Sequence, residues 1–122
     1  MKWEMSYQPV GNILLLRTEG VLDKDSLLTM VKEASVLMSK HKCSRCLVDH
    51  SNITAVTIGT FDIYNMPNVY SEIGLPRTMK VAMVVPGMFR DTFGFLETVA
   101  FNVGYSVSVF YDTESASNWL KQ

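Results

Sequence analysis

Arg45-Cys46-Leu47-Val48-Asp49-His50-Ser51 places a short apolar core directly before three polar side chains. Cys46, Leu47 and Val48 follow a Lys/Ser-rich turn and precede Asp49-His50-Ser51-Asn52, which suits a strand buried on both faces of a parallel sheet. The polar cluster then marks the carboxyl end of that strand, and in open α/β sheets such ends line the crevice where ligands sit.

Upstream, Trp3 to Tyr7 alternates in polarity, and Pro9-Val10-Gly11-Asn12 supplies turn chemistry before Ile13 to Thr18. The two runs predict an opening hairpin with its first strand at an edge. Asp23 is placed to cap a helix reaching about His41. Leu27, Val31, Ala34 and Met38 form its apolar stripe, and Lys40, His41 and Lys42 crowd the last turn, where positive charge complements the helix dipole.

Downstream, Asp49-His50-Ser51 predicts a loop, and the segment from about Thr57 to Ile73 contains Pro67. Proline removes a backbone bond and clashes with the preceding turn, so a kink or two short helices is expected there. Lys80 to Val85 predicts a strand covered on both faces, stopped by Pro86-Gly87. Asp91 is the expected cap of a third helix carrying Phe93, Leu96, Ala100 and Val103, with Gly104 as its stop. Ser106 to Tyr111 predicts a strand, and Asp112 or Thr113 caps a last helix bearing Ala116, Trp119 and Leu120.

The resulting fold class is α/β, with a mostly parallel five-stranded sheet in one domain over residues 1–122. It is made of an opening antiparallel hairpin, three helix–strand units with right-handed crossovers and a C-terminal helix.

A chain of 122 residues with 48% hydrophobic and 19% charged residues buries a real core and is not disordered. Eleven basic residues scattered among twelve acidic ones, net −1, leave no basic face for nucleic acid. No apolar run approaches the ~20 residues of a membrane span, and the first residues lack the apolar segment of a signal peptide. A cytoplasmic location with reduced cysteines is the expectation.

His41, Cys43, Cys46 and His50 offer four zinc-ligand types within ten residues. An extended chain from Cys46 to His50 separates those side chains by ~13 Å, too far for one ion, so no metal or other cofactor is expected. Cys43-Ser44-Arg45-Cys46 follows a helix C-terminus, whereas a thioredoxin-like pair sits at an N-terminus that lowers the thiol pKa. Cys46 is expected buried in the strand and Cys43 incidental in the turn. Asp49, His50 and Ser51 are triad residue types, but three consecutive strand residues cannot converge. Gly104-Tyr105-Ser106-Val107-Ser108 joins helix to strand and lacks the last glycine of a nucleophile elbow. Pro86-Gly87 is too poor in glycine for a phosphate loop.

Taken together, Ile13 to Gly20 before a capped helix, Leu47-Val48-Asp49, Lys80 to Val85 and the ending Val109 to Leu120 resemble the STAS fold. That fold is shared by anti-sigma-factor antagonists of the SpoIIAA type and cytoplasmic domains of sulfate transporters, and its small bacterial relatives are sometimes grouped with lipid-carrying CRAL-TRIO domains. The resemblance implies sequential strand order and a role in binding or regulation. Antagonists of this family carry Asp-Ser-Ser/Thr-Gly at the start of the second helix, with a phosphorylated serine. The aligned stretch here is Thr57-Ile58-Gly59-Thr60, and the acceptor position falls on Ile58, which has no hydroxyl. Thr57 and Thr60 flank it and would supply an acceptor under a shifted alignment; the plain alignment implies the fold without the phosphorylation switch.

The expected function is a non-enzymatic binding or regulatory module that engages a protein partner or a small apolar ligand near the carboxyl ends of its strands. A lipid-like carrier of CRAL-TRIO type is the alternative, and a small hydrolase comes third. The expected site gathers Asp49, His50, Ser51, Met66, Tyr70, Met88 and Phe89, with thioether and aromatic surface forming an apolar cleft. His50 edges it as a group expected to change charge near neutral pH. An uncovered sheet face or edge strand would favour a homodimer.

Overall fold

The computed structural model describes residues 1–122. Strands β1 (Lys2–Gln8) and β2 (Ile13–Leu22) form the expected hairpin. Its turn is closed by the Asn12 N–H donating to the Pro9 carbonyl at 3.1 Å, and Gly11 supplies a φ of 85° that an L side chain rarely adopts. Helix α1 (Lys24–Lys40) starts where Asp23 accepts the Ser26 N–H at 2.9 Å. Then come β3 (Arg45–Val56), α2 (Thr60–Ile73), β4 (Lys80–Val84), α3 (Arg90–Asn102), β5 (Ser106–Phe110) and α4 (Thr113–Leu120). The sheet runs β1-β2-β3-β4-β5, with only β1 antiparallel. This is the predicted architecture, and no helix in it is long and apolar enough to cross a membrane.

Sequential order with one crossover hand places α1, α2 and α3 on the same face of the sheet. The main core lies beneath them, fed by Leu14 and Leu16 of β2, Cys46 and Val48 of β3, and Val81 and Met83 of β4. The alternate residues face the other way. Ile13, Leu47, Ala82 and Val84 meet Ala116 and Leu120 of α4 in a smaller cluster. The Asp112 carboxylate starts α4 by accepting the Ser115 N–H at 2.7 Å. Lys80 Nζ holds its end, donating to the Trp119 carbonyl at 2.9 Å and lying over the Trp119 ring.

Three elements differ from their sequence-based expectation. β3 does not break into a loop at Asp49 but continues to Val56, beside a β2 that continues to Leu22. Two register shifts allow it. Between Arg17 and Glu19 of β2 the partner strand advances from Asp49 to Asn52, and between Gly20 and Val21 it advances from Ile53 to Ala55. Each leaves an extra residue on β3, so polar residues enter the strand without breaking the ladder on either side.

The second difference is that α2 is one helix through Pro67. Ile63, Met66, Pro67 and Tyr70 are all buried on it, at the spacing of a single helical face. A helix-interior proline costs about 3 kcal/mol, and burying each large apolar side chain returns about 1.5–3 kcal/mol, so packing wins. Gly74, left-handed at φ 93°, ends the helix as glycine does at this position. Third, α3 is not capped by Asp91. A 3-10 turn over Gly87–Phe89 leads straight into it, with the Phe89 N–H donating to the Pro86 carbonyl at 3.0 Å, and Asp91 sits in the first turn instead.

Candidate functional site

Helices α1, α2 and α3 do not close completely on the sheet. Between them lies a cavity of about 70 Å³. Strand residues Leu16, Cys46, Val48 and His50 form one wall, while Met30 and Met38 of α1, Met66 and Tyr70 of α2, and Phe93 and Leu96 of α3 form the others. Of all its lining side chains only His50 and Thr92 fall outside the hydrophobic class. Leu27, Val31, Val56, Ile58 and Thr92 are the lining residues that remain partly exposed. They belong to the N-terminal half of α1, the end of β3, the β3–α2 connection and the start of α3, which puts the mouth at the carboxyl rim of the sheet. An ion pair from Lys24 Nζ to Asp62 Oδ1, 3.1 Å, joins the first turns of α1 and α2 beside it.

The first bulge determines how His50 enters. Thr18, skipped by the shifted register, and His50 are both almost fully buried. Thr18 Oγ1 lies 2.7 Å from His50 Nδ1 and 3.4 Å from the Asp49 carbonyl, and the imidazole packs at 5.3 Å from the Phe93 ring. Burial pushes the imidazole down from 6.5 to about 4, against a smaller upward pull from the Asp49 carboxylate. Neutral pH therefore finds His50 uncharged, correcting the expectation of a group that titrates there. Desolvation wins because the ring is enclosed by apolar side chains and its one bonded partner is a hydroxyl rather than a carboxylate.

The structure brings His50, Met66 and Tyr70 together on this cavity and leaves other expected site residues outside it. Asp49 continues the Leu47 row on the opposite face, accepting the Ser51 N–H at 2.9 Å and the Ser51 hydroxyl, and Ser51 is exposed. Alternation along β3 divides the trio. Met88 projects into solvent, 80% exposed, on the 3-10 turn, while Phe89 is half-buried against the main core.

Tyr70 packs edge-on against Tyr105 with ring centroids 5.5 Å apart. Burial, together with neighbouring Cys46 and Tyr105, pushes its phenol well above the usual range. Cys43 and Cys46 are free thiols and both are buried, so Cys43 is not the incidental turn residue expected of it. Its sulfur sits 3.0 Å and 3.1 Å from the carbonyl oxygens of Arg45 and Asn12. Burial raises the Cys46 thiol far above its ordinary value. No three His, Cys, Asp or Glu side chains gather in a metal-binding arrangement.

Sequence reasoning missed the α1 wall and the floor residues Leu75 and Met79. Methionines at helical spacing read as core, which they also are. The usable signal was the density of methionine on facing elements, with Met30, Met38, Met66, Met79 and Met83 all on the cavity, since an unbranched thioether fills irregular space.

No family description matches the chain, and no curated protein does. Solved structures do. An anti-sigma factor antagonist from Mycobacterium paratuberculosis superposes with a TM-score of 0.62 at 10% identity, over 99% of this chain and 96% of that one. The anti-sigma factor antagonist SpoIIAA in its unphosphorylated form gives 0.59 at 10% identity, over 98% of both chains. An uncharacterised Shewanella loihica protein with a SpoIIAA-like fold gives 0.58 at 14% identity, over 98% of this chain and 92% of that one. Identities this low speak to architecture alone, and with end-to-end coverage they show that this chain has the SpoIIAA-like, STAS-type fold.

Proposed function

We propose that the protein is a non-enzymatic regulatory module that holds a small apolar molecule between its sheet and helices α1, α2 and α3, admitting it at the carboxyl rim of the strands. The observation that carries this reading is the cavity itself. A void lined almost wholly by hydrocarbon, thioether and aromatic groups binds apolar matter and offers no set of polar groups converging on a reacting atom. Its size separates the two ligand readings. At about 70 Å³ it is smaller than the ~150 Å³ cavity that accepts benzene, so a single small ring seated among adaptable methionines is its upper limit and a lipid acyl chain does not fit.

The rim also suits a protein partner. Phe61 and Tyr64 stand 76% and 62% exposed on α2, near the mouth that Ile58 lines, and two of the structural neighbours are named for antagonising anti-sigma factors. A ligand that moves Ile58 would be felt at that surface. Native mass spectrometry of the purified protein, alone and after incubation with small aromatic hydrocarbons, tests the reading. A one-to-one adduct lost on denaturation is expected. A bare mass under every condition overturns it.

A further inference from the structure

The cavity is not chemically uniform. His50 makes its side-chain hydrogen bond through Nδ1, to Thr18, and Nε2 has no protein partner. No side-chain nitrogen or oxygen in the structure is both sealed from accessible space and unbonded, so Nε2 must face accessible space. His50 lines the cavity and is only 1% exposed in all, so the accessible edge of its ring is assigned to that space. A ring nitrogen open to this apolar space and without a protein partner rewards any ligand that completes its hydrogen bond.

We infer that the molecule held in the cavity carries one hydroxyl group, bonded to Nε2 of His50 near the mouth, on an otherwise apolar body that extends inward toward Met66 and Tyr70. The inference rests on the cavity being a ligand site, as proposed above, and adds the ligand's chemical class. A hydroxyl fits because it serves either tautomer. Where Thr18 donates to the Asp49 carbonyl, Nδ1 carries the proton and donates to Thr18, and Nε2 accepts. Where Thr18 donates to Nδ1, Nε2 carries the proton and donates. A hydroxyl both gives and takes a hydrogen bond. A carboxylate would need a charged partner in this enclosure, and none of the lining residues is an acid or a cation at neutral pH.

The position of His50 orients the molecule. It packs against Phe93, which follows Thr92 at the rim end of α3, whereas Cys46, four residues earlier on β3, lies ~13 Å away along the strand, with Tyr70 as its neighbour. The polar group thus sits toward the mouth and the apolar body toward the floor.

Phenol and benzene are matched probes, alike in shape and differing by one hydroxyl. Each is titrated against wild type and His50→Leu by calorimetry, and the imidazole ¹⁵N resonances of wild type are followed in parallel. The preference for phenol over benzene is expected to fall roughly tenfold in the variant, the worth of about one hydrogen bond. In wild type, phenol should shift the His50 Nε2 resonance and benzene should leave it in place. If His50→Leu does not fold, the wild-type ¹⁵N measurement decides alone. Saturable binding of both probes, with no Nε2 response to phenol and no change in preference, overturns the inference while leaving the apolar-ligand reading standing. Binding of neither probe overturns both.

Discussion

Acidification from pH 7 to pH 4.5 should destabilise the fold through one residue, His50. Its imidazole is held down to about 4 in the folded protein against an ordinary 6.5, so between those values the unfolded chain binds a proton that the folded chain refuses. The stabilisation is complete above about pH 6.5 and is lost as the pH falls toward 4. Stability changes by up to about 1.4 kcal/mol per pH unit in that window, since one proton is involved. Two and a half units of separation correspond to about 3 kcal/mol in full, of which about 2 kcal/mol is gone by pH 4.5. Asp23 and Asp112, whose carboxyls are lowered from 3.8 by the Ser26 and Ser115 hydrogen bonds, act mainly below this range and do not mimic it. The assay is urea unfolding at half-unit steps from pH 4.5 to 7.5 in wild type and His50→Leu. Wild type should lose about 2 kcal/mol with an unchanged m-value, and the variant should be flat over the same span. A flat wild type, or a variant that keeps the wild-type slope, would refute the buried neutral imidazole.

Other consequences concern the core, the thiols and the β3–α2 connection. Leu14→Ala, at a fully buried position on β2, should cost about 2–5 kcal/mol in urea unfolding. Tyr105→Phe deletes the hydroxyl that donates to the Leu75 carbonyl at 2.9 Å; leaving that buried acceptor unpaired should cost about 1–3 kcal/mol by the same measurement. Neither Cys43 nor Cys46 should react with an aromatic disulfide reagent in the native protein, and both should react once urea unfolds it, because both are buried. Incubation with an anti-sigma kinase should leave the Thr57 to Thr60 peptide unmodified by mass spectrometry; stoichiometric phosphate on Thr57 or Thr60 would restore a partner switch that Ile58, partly buried against the core, has no hydroxyl to perform.

Local chemistry made most of the fold readable. Asp23 and Asp112 each cap the helix that patterning assigned to them, and the apolar runs of β3 and β4 lie side by side as parallel neighbours. What escaped depended on partners distant in sequence. The polar run Asp49 to Thr54 reads as a loop until β2 is seen to pair with it through two bulges, a register that no window of β3 contains. Pro67 reads as a break until its ring is seen buried beside Ile63, Met66 and Tyr70. The site divided for the same reason. Alternation along β3 was legible, so Asp49 and His50 had to part, but that His50 would find Thr18 rather than solvent was a matter of the bulge. Met66 and Met88 look alike in sequence, yet one is 4% and the other 80% exposed, because one lies on the packed face of α2 and the other on a 3-10 turn at the surface.

The methionines make the central claim directly measurable. Of the eight in the chain, Met30, Met38, Met66, Met79 and Met83 line the cavity, whereas Met1, Met5 and Met88 do not. Methyl spectra of ¹³C-methyl-methionine protein titrated with benzene should show saturable shifts for the five lining methyls and stationary resonances for the other three. Unmoved lining methyls at saturating benzene, or shifts confined to Met1, Met5 and Met88, would contradict the claim that this fold holds a small apolar ligand beneath its three helices.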